Sequence, residues 1–207
     1  LNNTTGSNNV SMGYASMQAN TTASGGTGLG YQTLVSNTTG ANNSAAGGYA
    51  LYANTTGANN TAFGYKALDT NTTASYNTAI GSNAGEDNTT GSQLVLIGSD
   101  AGKNITTGAR NTMLGYQAGD DLTTGSDNIC IGYLTDTGNS AGAHRITIGN
   151  DIDSVGDNYF TFGKDGNRVY NLYTSNASWT RSSDERLKTN IKDDTLGLDF
   201  INRLQPR

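Results

Sequence analysis

The sequence predicts an all-β protein wound as a parallel β-solenoid of 17-residue coils, with a β-hairpin region after it. Three observations carry that prediction. Nine glycines, Gly13, Gly30, Gly47, Gly64, Gly81, Gly98, Gly115, Gly132 and Gly149, stand seventeen residues apart. The triplet Asn-Thr-Thr keeps the same period at Asn3, Asn20, Asn37, Asn54, Asn71 and Asn88, then drifts to Ile105-Thr106-Thr107 and Leu122-Thr123-Thr124. No residue is inserted or lost between Asn3 and Gly149, as stacked strands require, because an insertion within a coil would throw them out of register.

Composition narrows the alternatives. The 207 residues include 28 Gly, 30 Thr and 26 Asn but only 34% hydrophobic side chains, too few for an ordinary compact core to offset chain entropy. Charged residues are 14% with a single Pro, which is not the composition of a disordered acidic tail. A chain of this kind is built from repeats. The net charge of −5 excludes a nucleic-acid binder, which needs a basic stripe to release phosphate counterions. One cysteine, Cys130, excludes an internal disulfide framework and a Cys-based zinc site. No apolar run reaches the length of a membrane span, and no signal peptide is visible, so no membrane insertion is expected.

Within each coil, seventeen residues suit two short strands and two turns. Thr-Thr-Gly and Asn-Asn supply the turns, since Gly and Asn tolerate positive φ. The residue before each repeat glycine is apolar throughout, and the row Leu29, Phe63, Ile80, Ile97, Leu114, Ile131 and Ile148 is expected to point into the coil as its core. One residue earlier stand Ala45, Ala62, Ala79, Leu96, Met113 and Cys130, mostly small. By strand alternation they are expected to face outward, with Ala45, Ala62 and Ala79 near a second chain. Nine coils at about 4.8 Å each make a rod roughly 40 Å long.

The period ends at Asn150, which divides the chain into a repeat domain (1–149), a β-rich connector (150–181) and a C-terminal segment (182–207). In the connector, Phe160-Thr161-Phe162-Gly163 and Arg168-Val169-Tyr170 flank Asp165-Gly166, a strong hairpin signal. Tyr170, Leu172, Tyr173 and Trp179 form the richest aromatic cluster, expected to cap the open end of the solenoid ahead of serving as a sugar platform. In the last segment, Leu196, Phe200, Ile201 and Leu204 fall on one face of a short helix that ends before Pro206.

The copy Asn60-Thr61-Ala62-Phe63-Gly64-Tyr65-Lys66-Ala67-Leu68 resembles repeats of phage tail fibres, and is similar to the coils in heads of trimeric autotransporter adhesins. That resemblance, over about residues 3–149, implies a left-handed parallel β-roll in which three identical chains pack around a threefold axis. The string Ser183-Asp184-Glu185-Arg186-Leu187-Lys188-Thr189-Asn190-Ile191, followed by Leu196-Gly197-Leu198-Asp199-Phe200-Ile201-Asn202-Arg203-Leu204, closely resembles the start of the endosialidase-type intramolecular chaperone. Such domains follow trimeric fibres, help their chains assemble and then cut themselves off. The resemblance implies Ser183 as nucleophile on the bond after Ser182 and Lys188 as general base, with single-turnover cleavage only where the chaperone is complete.

Other candidate chemistry is sparse. Asp151, Asp153 and Asp157 lack the acidic twelfth position of an EF-hand loop and read as solvated loop carboxylates. His144, the single histidine, takes the place of a turn Asn, and Cys130 reads as a packed hydrophobe. The Asn-x-Thr triplets read as repeat turns rather than glycosylation acceptors. The first charged residue is Lys66, so acid–base or metal catalysis has little to use in the repeat. No enzyme activity, cofactor or metal is expected.

The sequence thus points to a homotrimeric extracellular fibre segment that serves host-cell attachment, with a phage tail fibre the preferred carrier. A bacterial surface adhesin or predatory-bacterium fibre is next, and a cell-surface glycan or protein is the expected receptor. A second class is ice binding through stacked Thr rows, against which stands the placement of the Thr-Thr pairs at turns rather than on a flat Thr-x-Thr strand.

Overall fold

The structure, a computed structural model, describes residues 2–175 and the short strand Thr180–Arg181. Seven three-residue strands come first: β1 (Val10–Met12), β2 (Thr27–Leu29), β3 (Ser44–Ala46), β4 (Thr61–Phe63), β5 (Thr78–Ile80), β6 (Val95–Ile97) and β7 (Thr112–Leu114). Longer ones follow: β8 (Ile129–Asp136), β9 (Ile146–Asp153), β10 (Tyr159–Lys164) and β11 (Asn167–Leu172), with β12 (Thr180–Arg181) last. They form one sheet in sequence order, parallel from β1 to β10 and antiparallel from β10 to β12. Partners such as Phe63↔Ile80 and Ile131↔Ile148 lie one repeat apart, so each coil adds one strand to a parallel β-solenoid of about nine turns. β9 runs across residue 149, where the sequence period ends.

Each early coil holds one strand rather than two. The remainder is turn, because the backbone adopts left-handed φ at four places per coil. In the coil after β4 these are Gly64 (φ 143°), Lys66 (56°), Leu68 (54°) and Tyr76 (64°). Non-glycine residues in this region cost roughly 1–2 kcal/mol each. Hydrogen bonds between coils offset that cost at every level. The first Thr of each pair donates its hydroxyl to the carbonyl one coil on, as in Thr38 to Thr55 (3.1 Å) and Thr89 to Thr106 (3.0 Å).

The core is where the structure corrects the sequence expectation. Leu29, Phe63, Ile80, Leu114 and Ile148 are exposed and Ile97 and Ile131 half-buried, so this row faces out of the coil. Ala45, Ala62, Ala79, Leu96, Met113 and Cys130 are fully buried inside it rather than lying on an outer face. The reason lies on the opposite wall. Leu34, Leu51 and Leu68 enter the coil at 0% exposure, and the space left over admits only a small residue from the strand. Where that wall carries Gly102 or Gly119, the strand supplies Leu96 or Met113 instead. A Cβ on Gly102 would lie 2.7 Å from Leu96 Cδ2, and one on Gly119 would overlap the Met113 side chain. At Gly85, whose strand supplies only Ala79, Leu68 and Leu96 of the adjacent coils reach into the space instead.

Two columns of buried asparagine complete the interior. In one, Asn54 donates to Asn37 Oδ1 (2.8 Å), Asn71 to Asn54 (2.9 Å) and Asn88 to Asn71 (2.9 Å), until Ile105 and Leu122 replace amides with apolar side chains. In the other, Asn43, Asn60 and Asn77 each accept the backbone N–H one coil on, from Asn60 (2.9 Å), Asn77 (3.0 Å) and Leu94 (2.9 Å). Buried amides survive because nearly every donor and acceptor finds a partner on the adjacent coil.

At the C-terminal end β10 pairs with β9, Phe162 opposite Ile148, so the hairpin takes the place of a tenth coil. β10 and β11 join through Asp165-Gly166, with Gly166 at φ 71°. Tyr159 and Tyr170 meet edge to face at 5.8 Å between centroids, and the Tyr173 hydroxyl donates to the His144 carbonyl. The side chain of Trp179, the helix expected over Leu196–Leu204, and Ser183 with Lys188 lie outside the described residues.

Candidate functional site

From β1 to β9, strand alternation puts the first and third residue of each strand on the outer face of the sheet. The third-residue column runs Met12, Leu29, Ala46, Phe63, Ile80, Ile97, Leu114, Ile131 and Ile148, and continues into Phe162 through the register of β10. The first-residue column runs Val10, Thr27, Ser44, Thr61, Thr78, Val95, Thr112, Ile129, Ile146 and Phe160. Past each repeat glycine comes a bordering column with Tyr14, Tyr31, Tyr65, Tyr116 and Tyr133. Tyr14 and Tyr31 stack at 5.3 Å between centroids, and Tyr116 and Tyr133 at 5.5 Å. Where Gly48 interrupts the column, Tyr49 lies edge-on to both Tyr31 (5.3 Å) and Tyr65 (6.0 Å).

The third-residue column forms an apolar row along the stack, flanked mostly by Thr and Ser from Thr27 to Thr112 and by Ile129, Ile146 and Phe160 at the C-terminal end. Met12 is 69% exposed, Phe63 43% and Leu114 41%. With aromatic side chains of roughly 150–250 Å² each, the exposed members expose on the order of 1,000 Å² together, against about 300–600 Å² for the largest patch on a typical monomer. At the C-terminal end the face deepens into an open groove of about 540 Å³ lined by Ile148, Phe160, Phe162 and Val169.

The repeat glycines make this face possible. They hold φ between 118° and 159°, just past the strand in β1–β7 and within it in β8 and β9, and an added Cβ would strike the backbone of the next coil. At Gly81 it would lie 2.5 Å from the Gly98 carbonyl carbon. Strand partners therefore keep a seventeen-residue register from coil to coil.

The charged residues gather elsewhere. Glu86 bridges Lys66 (2.8 Å) and Lys103 (3.6 Å), and its hydrogen bond raises the Lys66 pKa. Asp100, Asp120, Asp121 and Asp136 follow toward the C-terminal end. The Asp136 carboxylate is buried and accepts N–H groups from Asp121 (2.9 Å) and Thr137 (2.7 Å). Burial nonetheless pushes its pKa from 3.8 up to about 7, outweighing the two hydrogen bonds. A folded pKa above the unfolded one means stability is fully present below about pH 4 and is lost as pH rises toward 7. We expect thermal unfolding at pH 5 to lie above that at pH 8, by about 2–4 kcal/mol from this group. Asp136→Asn should flatten the slope, and an equal slope in that variant would assign it to other carboxylates. Asp127 and Asp157 act in the opposite sense: a hydrogen bond from Arg110 lowers the first, and one from the Ala143 N–H lowers the second.

The remaining candidates are now placed. His144 has φ 56° in the same turn column as Asn59 and is exposed. Cys130 is fully buried inside the coil, and burial raises its pKa. Asp151 and Asp153 line a polar groove of about 470 Å³ with Asp165 and Arg168, while Asp157 accepts from Arg145 Nε at 2.7 Å. Among the described residues no group of His, Cys, Asp or Glu is arranged to hold a metal ion. The second Thr of each pair is exposed, but it sits in a turn, which gives an ice lattice no flat strand to match. The repeat Asn of each Asn-Thr-Thr triplet from Asn20 to Asn88 is buried. Sequence reasoning missed the first-residue column and the tyrosine column as surface features. The seventeen-residue recurrence of Tyr14, Tyr31, Tyr65, Tyr116 and Tyr133 is the signal that shows the second.

No known family matches the chain, and neither a curated protein nor a solved structure is similar to it.

Proposed function

We propose that the protein is a structural and adhesive segment of an extracellular homotrimeric fibre serving host-cell attachment, with a phage tail fibre the preferred carrier and a bacterial surface adhesin or predatory-bacterium fibre the next. The observation that carries this reading is the uninterrupted coil stack with an exposed apolar row along its length. Parallel strands, threonine hydroxyls and buried amides tie every coil to the next, the construction of a stiff spacer. A face of this size exceeds what a solitary chain leaves in water, and three chains around one axis would cover it. The resemblance of Ser183–Leu204 to the start of a fibre chaperone supports the same reading, with Ser183 and Lys188 as the self-cleavage pair.

Two measurements test it. Sedimentation equilibrium is expected to give three times the chain mass, and a stable monomer overturns the fibre reading. The labelled assembly is expected to bind intact host cells or a glycan array saturably; a passive spacer would bind neither. Tail and baseplate genes beside the coding sequence favour the phage carrier, and secretion or surface genes the bacterial one.

A further inference from the structure

The tyrosine column sets tyrosine beside tyrosine at only two places. Past the repeat glycines it reads Tyr14, Tyr31, Gly48, Tyr65, Ser82, Ser99, Tyr116, Tyr133 and Asn150, so Tyr14 neighbours Tyr31 and Tyr116 neighbours Tyr133 on adjacent coils. In both pairs the rings lie nearly parallel, at 12° with 5.3 Å between centroids and at 15° with 5.5 Å. Hydrogen bonds between the coils hold that spacing beside the rings. The Gln32 N–H donates to the Tyr14 carbonyl (2.8 Å) and the Leu134 N–H to the Tyr116 carbonyl (3.0 Å). All four tyrosines are exposed, so a soluble oxidant reaches them. The other tyrosines of this surface are placed differently. Tyr49 meets Tyr31 at 72° and Tyr65 at 89°, edge to face, and Tyr76 is exposed with no ring neighbour among the described residues.

We infer that Tyr14–Tyr31 and Tyr116–Tyr133 are oxidative cross-linking sites, at which a one-electron oxidant of the peroxidase class, with hydrogen peroxide as co-substrate, joins two coils of one chain through dityrosine. Each phenol gives up one electron and its O–H proton. The two phenoxyl radicals then bond through a carbon ortho to each oxygen, and the hydrogen on each of those carbons moves to the oxygen of its own ring. Two tyrosines and one hydrogen peroxide thus yield one dityrosine and two waters. Parallel rings on adjacent coils set matching ortho edges side by side, and rotation of the exposed side chains brings them together. An edge-to-face pair aims the edge of one ring at the face of the other instead. The placement of the pairs gives the links a use. One joins the first two coils and the other the seventh and eighth of about nine, toward the ends where a stack opens first. On the coils between them, Glu86 ties Lys66 to Lys103 (2.8 and 3.6 Å). A bond across a seventeen-residue loop removes conformations from the unfolded chain. The links lie within one chain, so the inference does not depend on the fibre reading.

Treatment of the full chain with a peroxidase and hydrogen peroxide tests it. The expected result is dityrosine fluorescence in a product that still runs as a single chain on a denaturing gel. A digest should contain two linked peptides, Tyr14 with Tyr31 and Tyr116 with Tyr133, each lighter by two hydrogens than the sum of its parts. Tyr31→Phe combined with Tyr133→Phe keeps every ring but removes one phenol from each pair, and should lose most of the fluorescence, whereas Tyr76→Phe should lose none. The oxidised parent should unfold at a higher urea midpoint than the untreated parent. The oxidised double variant should show no such rise; it carries the same oxidation of the exposed Met12 and so serves as the control. Absence of dityrosine while free tyrosine couples in the same mixture overturns the inference. So does a digest dominated by links between chains, by Tyr31 with Tyr49, or by Tyr76. Links at the expected pairs without a higher midpoint overturn their role in holding the coils together.

Discussion

Gly81→Ala is expected to destabilise the fold by roughly 2–6 kcal/mol, combining backbone strain of about 1–3 kcal/mol with overpacking of about 1–3 kcal/mol. Gly81 holds φ 141°, and its added methyl would overlap the carbonyl of Gly98 one coil on. Backbone cannot rotate aside as a side chain can, so relief requires parting β5 from β6. Gly166→Ala is the matched control. It also has positive φ (71°) but nothing lies within 4 Å of the added carbon, so only about 1–2 kcal/mol is expected there. Urea unfolding of the two variants distinguishes the effects. Equal losses would mean that φ alone, and not close stacking of coils, explains the glycine period.

The nine glycines made the coil length and strand pairing legible from sequence, because a corner that meets the next backbone admits no side chain. The hairpin across Asp165-Gly166 was legible for a similar local reason. Which face of the strand turns inward was not. Alternation at Ala62-Phe63 says only that the two residues point apart. The choice depends on what the opposite wall delivers, and there Leu68 stands in a left-handed conformation that no propensity predicts for leucine. Size misled for a physical reason: a narrow coil filled from one wall needs a small residue on the other, and this leaves large residues outside. Asn54 and Asn71 misled similarly. Asparagine beside Thr-Thr looks like a turn residue, and only stacking at one-coil intervals adds the amide-to-amide partner along the column. The acidic neighbourhood of Asp136 joins residues about fifteen apart on successive coils, a juxtaposition visible only once the coils are stacked.

Asn71→Leu should cost about 2–4 kcal/mol, chiefly through lost hydrogen bonding, since leucine keeps the branched shape of asparagine but is larger and cannot hydrogen-bond. Asn71 Nδ2 donates to Asn54 Oδ1 (2.9 Å) and to the Ala74 carbonyl (3.1 Å), while its Oδ1 accepts from Asn88 Nδ2 (2.9 Å). Leucine would orphan Asn54 Oδ1 on one coil and one of the two N–H groups of Asn88 Nδ2 on the other. The second N–H of Asn88 keeps its bond to the Gly91 carbonyl (3.0 Å), and both residues are fully buried. The column itself tolerates apolar side chains, since Ile105 and Leu122 occupy it further on at 0% exposure. The sensitivity therefore lies in breaking the ladder midway. Asn54→Leu and Asn71→Leu share one hydrogen bond, so the double variant should lose less than the sum of the singles, by about 1 kcal/mol or more. Asn54→Leu combined with Asn128→Leu, which lies in the other asparagine column several coils away, should be additive within about 0.5 kcal/mol. Denaturant unfolding of the three single variants, the two double variants and the parent supplies both cycles. Strict additivity for the adjacent pair would show that each amide is held by its own turn and that no ladder runs along the solenoid.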